Sequence, residues 1–142
     1  MKKRTRIFLL GVYSLLLFWL VIGQRMGQPG EGLLQLQPLK TLRHFFWVMA
    51  ESNSPGLRRH AFVNLVGNVA MFVPLGFLLP WIWQKWQVFW RHFLLMAALI
   101  LAVEVSQYML RLGTCDVDDL LLNLLGAVFG YVLFRLLPRK CQ

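Results

Sequence analysis

Eight polar residues set among apolar neighbours carry the chemistry open to this chain. Asn64 and Asn68 stand at i, i+4. Glu104, Gln107 and Arg111 stand at i, i+3, i+7, and Asp116, Asp119 and Asn123 repeat that spacing. On a helix each set shares one face. At 1.5 Å per residue Glu104 lies roughly 10 Å along the axis from Arg111, so the three sets fall at one level. Polar side chains inside membrane spans are rare and normally face the bundle interior. Two readings stay open. In the first the residues form a latch: Arg111 pairs with Asp116 or Glu104, the asparagines bond across helices at about 0.6–2 kcal/mol each, and Asp116 and Asp119 cap the following helix. In the second they line a hydrated pocket open to the outer face. A latch needs one pair, and eight groups of mixed type favour the pocket. Glu104 is suited to donating or accepting a proton there, and equally to a permanent interhelix bond.

The elements that hold these residues follow from composition. Of 142 residues, 58% are hydrophobic and 15% charged, and the mean hydropathy is +0.57. Soluble domains run at about 45–50% apolar and about 25% charged, so a soluble globule, a disordered chain and a disulfide scaffold are all excluded. Four apolar segments, each near the ~20 residues a span requires, lie at about 7–23, 61–83, 93–110 and 120–137. The first follows the basic cap Lys2-Lys3-Arg4-Thr5-Arg6 and lacks a good cleavage site after it, so it reads as a retained signal anchor. Between the first two spans, about 33–51 is too polar to cross. Its Leu39, Leu42, Phe45, Phe46 and Met49 mark one helical face, which suits an interfacial or re-entrant helix. The fold class is therefore all-α, an integral membrane protein of four transmembrane helices plus that segment, in one domain over 1–142.

Within the spans, Pro74 removes a helical hydrogen bond and crowds the Ala70 carbonyl, which predicts a kink. Gly76 admits a close neighbour. Gly126 and Gly130 form a GxxxG pattern for close packing, within the bundle or between copies, so a homo-oligomer is possible. Trp81, Trp83, Trp86 and Trp90 surround Lys85 and Arg91 as an interfacial aromatic belt. His44, His60 and His92 read as interfacial.

The net charge is +9, from 15 Lys+Arg against 6 Asp+Glu. In a soluble protein this would suggest nucleic acid, but here the cations flank apolar runs and read as topology signals and headgroup contacts. No nucleic-acid partner is expected; the partner is the bilayer. Nine cations fall on the side of the termini and six on the other, which places both termini in the cytoplasm. Cys115 and Cys141 then lie on opposite sides and cannot pair. No metal or phosphate-binding spacing and no catalytic triad is present, so no cofactor, metal or catalytic residue is assigned, and an enzyme is disfavoured without being excluded.

Asn68-x-x-x-Phe72-Val73-Pro74-x-Gly76, then Glu104-x-x-Gln107, then Asp116-x-x-Asp119-x-x-x-Asn123-x-x-Gly126 resemble, in that order, the VanZ-like family of bacterial membrane proteins. Leu36-Gln37-Pro38-Leu39 is similar to that family's Leu-x-Pro-Phe element, with Leu39 in place of Phe. The resemblance covers roughly residues 30–135. It implies a small cell-envelope protein of the inner membrane, of the kind that gives low-level resistance to teicoplanin and other lipoglycopeptides by reducing antibiotic binding at the surface. Its motif positions here are Asn68, Glu104, Gln107, Asp116, Asp119 and Asn123. Cys115 and Asp118 fall where that pattern varies and are given no role. The ligand expected is an envelope lipid or lipoglycopeptide, with Arg58, Arg59 and Arg111 meeting a phosphate. The alternatives are an intramembrane enzyme that modifies an envelope lipid, with Glu104 and Asp119 as acid and base, or a structural partner of other membrane proteins.

Overall fold

The computed structural model describes residues 2–23, 34–35, 37–112 and 115–138. Five α-helices dominate: α1 Lys3–Val21, α2 Lys40–Glu51, α3 Pro55–Ile82, α4 Phe89–Met109 and α5 Val117–Leu136. A two-residue parallel bridge joins β1, Leu34–Gln35, to β2, Cys115–Asp116. A 3-10 turn at Gln84–Gln87 links α3 to α4. α1, α3, α4 and α5 are each long and apolar enough to cross a membrane, and the chain is a multi-pass membrane protein.

The starts differ from the hydropathy boundaries for local reasons. α3 begins at Pro55, six residues before its apolar run, because proline at the first helical position gives up only an amide that has no helical partner. Its 28 residues make it roughly 42 Å long, more than a hydrocarbon core of about 30 Å. It stays helical through Pro74 and Pro80. α5 begins at Val117 because Asp116 caps it, accepting the Asp118 amide at 2.9 Å.

α3 and α5 form the tightest seam. A Cβ added at Gly76 would strike the Ala127 carbonyl, one at Gly126 the Val69 carbonyl and one at Gly130 the Val73 carbonyl. The GxxxG face is therefore consumed inside the bundle and is not free for a second copy. α1 is peripheral, with Leu17 and Val21 its buried residues. Its hydroxyl and guanidinium reach backbone oxygens of α3: Tyr13 donates to Met71 and Arg6 to Trp81, the latter at 2.8 Å. Met96, Ile100, Phe72 and Phe134 fill the centre. His92 lies in the first turn of α4. It is buried against Tyr131, ring centroids 5.1 Å apart, whereas His44 and His60 are exposed.

In α2 the buried position is Val48, which the expected face omitted; Leu39 and Phe46 of that face are exposed. Four hydrogen bonds fix the direction of the bundle. Gln107 Nε2 donates to the Val21 carbonyl at 3.0 Å and Asn68 Nδ2 to Asp119 at 2.5 Å. The ends of α1 and α4 thus lie toward the start of α5 and the middle of α3, at what we call the acidic end. Arg6 on Trp81 and Tyr131 on the Gln87 carbonyl, at 2.6 Å, define the opposite, basic end.

Candidate functional site

Three aspartates at the start of α5 do three different things. Asp116 caps its own helix with one oxygen and accepts the Thr41 hydroxyl at 3.1 Å with the other. Asp118, at 1% exposure, accepts the amide of Leu39 at 2.6 Å and that of Thr41 at 2.7 Å. Asp119 turns inward to Asn68. Helical geometry separates these directions, since successive residues are about 100° apart.

Asp118 is the residue that motif reading passed over. It supplies the N-terminal cap that α2 lacks in its own sequence: Leu39 at the cap position has no side-chain oxygen, and its backbone is left-handed with φ 66°. Such a conformation costs a leucine roughly 1–3 kcal/mol and persists only where surroundings over-determine it. Here the gain is the aim of its amide at a carboxylate, and charge-assisted bonds of this length are strong. The Gln37-Pro38-Leu39 turn and Asp118 are therefore two halves of one joint; Leu36 lies outside the described residues.

A small cavity sits behind this joint. Leu20 and Val21 of α1, Asn68 and Met71 of α3, Val103, Glu104 and Gln107 of α4, and Asp119 and Asn123 of α5 line a space of about 30 Å³. A water needs about 10–15 Å³ on the same measure, so the space suits one or two water-sized groups. Asn68, Glu104, Gln107 and Asn123 are each 3–6% exposed. The Oδ1 of Asn123 accepts no hydrogen bond from the described residues. A buried amide oxygen without a donor is costly, and Asn123 belongs to the cavity wall.

Five of the eight expected residues therefore converge: Asn68, Glu104, Gln107, Asp119 and Asn123. Asn64, Arg111 and Asp116 do not line the cavity. Asn64 lies one turn before Asn68, half-buried outside the space. Asp116 precedes α5 and serves as its cap. Arg111 lies beyond the last residue of α4, has φ 53°, is exposed, and forms no ion pair with a described residue. The i, i+7 relation to Glu104 assumed a helix that continued two residues further than it does; the Leu112 amide closes back on the Gln107 carbonyl at 2.9 Å instead. No group of three or more metal-ligating side chains occurs among the described residues. Gly76, Gly126 and Gly130 pack α3 against α5, and Pro74 lies within α3.

The family model described as VanZ/LLP1 matches residues 9–138, nearly the whole chain. No curated protein and no solved structure matches it.

Proposed function

We propose, for a chain that belongs to the VanZ/LLP1 family, a cell-envelope protein of the bacterial cytoplasmic membrane whose acidic end holds one polar group of an envelope lipid and thereby lowers lipoglycopeptide binding at the cell surface. The observation that carries this reading is the convergence of Asn68, Glu104, Gln107, Asp119 and Asn123 from three helices on a single cavity. At about 30 Å³ the cavity admits a hydroxyl or an ammonium, not a whole headgroup. The remainder of the ligand lies outside it, at the end that carries exposed Arg58, Arg59 and Arg111, whose guanidinium forks match phosphate. Both termini are cytoplasmic in this reading, on the nine-to-six distribution of cations, so the acidic end faces outward.

The test is surface labelling. A glycopeptide-sensitive host that expresses the chain should bind less fluorescent teicoplanin than the empty host. Glu104→Gln and Asn123→Ala, at membrane abundance equal to wild type, should restore the labelling. Undiminished labelling with the wild-type chain verified in the membrane would sink the proposal, and loss of abundance in both variants would return these residues to a structural latch.

A further inference from the structure

The basic end holds a second, larger concavity that the motif residues do not touch. Lys3 and Arg6 of α1, Trp81 and Ile82 of α3, and Trp83, Gln84 and Gln87 of the connecting turn enclose about 430 Å³, within the 300–1,000 Å³ usual for ligand sites. Arg6 is fixed in it: its guanidinium lies 4.2 Å over the Trp81 ring while Nη1 bonds the Trp81 carbonyl. That bond, and the one from Gln87 Nε2 to the Pro80 carbonyl at 3.2 Å, cover carbonyls at the end of α3 that would otherwise repel an anion. The lining contains two cations and no carboxylate. Nor does the sequence place any acid in residues 2–10, 77–95 or 130–138, the described segments at this end.

One helical turn along α1 the seam becomes apolar. Leu10 and Leu17 of α1, Leu75 and Leu79 of α3, and Leu99 and Val103 of α4 line a groove of about 280 Å³. Leu79 lies two residues before Trp81 on α3, and Leu10 lies four residues from Arg6, about 6 Å along the axis. A cationic cup and an apolar groove thus follow one another along the same α1–α3 seam.

We propose that this seam binds one anionic phospholipid of the leaflet at the basic end, its phosphate between Lys3 and Arg6 and an acyl chain in the α1–α3–α4 groove. Charge complementarity selects the headgroup and the groove selects a chain, so a phosphate without a chain is held weakly, and so is a chain beneath a zwitterionic headgroup. This site shares only Val103 with the lining of the Glu104 cavity and does not depend on the role proposed for that cavity.

Native mass spectrometry of the full chain in mild detergent tests it, with dioleoylphosphatidylglycerol, dioleoylphosphatidylcholine and inorganic phosphate as probes. Wild type should retain one phosphatidylglycerol adduct in preference to phosphatidylcholine, and millimolar phosphate should not displace it. A cation near a membrane surface contributes about 1 kcal/mol, so Lys3→Gln should weaken retention roughly fivefold. Lys3 is exposed, so this variant leaves packing intact. Ser14→Phe, which fills the groove from an exposed position, should weaken retention of phosphatidylglycerol while Arg135→Gln at the same end, outside the cup, leaves it unchanged. Equal retention of the two lipids, displacement by phosphate alone, or undiminished retention in both Lys3→Gln and Ser14→Phe would overturn the proposal.

Discussion

The two ends of the bundle solve the problem of charge in opposite ways. At the acidic end the carboxylates are drawn inward and bonded: Asp118 to two amides of α2, Asp116 to its own helix and Thr41, Asp119 to Asn68. At the basic end the cations stay out and lean on rings, Arg6 on Trp81 and Lys85 on Trp86 at 4.7 Å. The difference follows side-chain reach. A short carboxylate cannot extend to water from within a span and must find donors, whereas Lys and Arg lay their stems along apolar surface and keep the charged head at the interface. One end therefore takes its structure from its charges, and the other displays them.

That contrast predicts a steep gradient in mutational effect. The largest falls on Asp118→Ala, which strands two amides and releases a strained Leu39; a loss of roughly 3 kcal/mol is expected, read as a lowered unfolding midpoint in detergent together with new protease sensitivity ahead of α3. Asn68→Ala and Asp119→Ala come next, each costing about 1–2 kcal/mol. Because they share one bond, the double variant should lose less than the sum of the two, and strict additivity in the same melts would show the pair to be uncoupled. Arg6→Gln at the other end removes one stacked cation and one capping bond, for about 1 kcal/mol; a loss matching that of Asp118→Ala would erase the distinction between the ends. Smallest is Lys85→Gln, within about 0.5 kcal/mol, detectable only as an unchanged midpoint.

How much of this was legible beforehand depends on how far apart the partners lie in the chain. The four long helices were legible because an apolar run of span length reports burial in lipid without reference to any other segment. Five of the cavity residues were legible for a related reason, since their spacing within one helix fixes a common face. Arg111 and Asp116 fall outside it because spacing says nothing of where a helix stops: Met109 ends α4 and Val117 begins α5. Asp118 was invisible because its partners stand 79 and 77 residues earlier. One trace of it did exist: α2 opens at Lys40 with Pro38 and Leu39 before it and no capping side chain of its own, so its cap had to come from elsewhere. Val48 escaped for lack of contrast, as one apolar residue among the many in α2.

The glycine seam has a consequence for how the protein is made. α3 leaves the ribosome well before α5, yet the carbonyls of Val69 and Val73 and the notch at Gly76 are shaped for Gly126, Ala127 and Gly130 alone. Helices insert first and pack afterwards, and chains emerge from the N-terminus, so an unfinished chain carries an open slot along its longest helix. The fold is committed only when the last span arrives. Truncation before Leu120 should then remove far more than one helix: it leaves α3 unmatched and exposes the nascent protein to quality-control proteolysis.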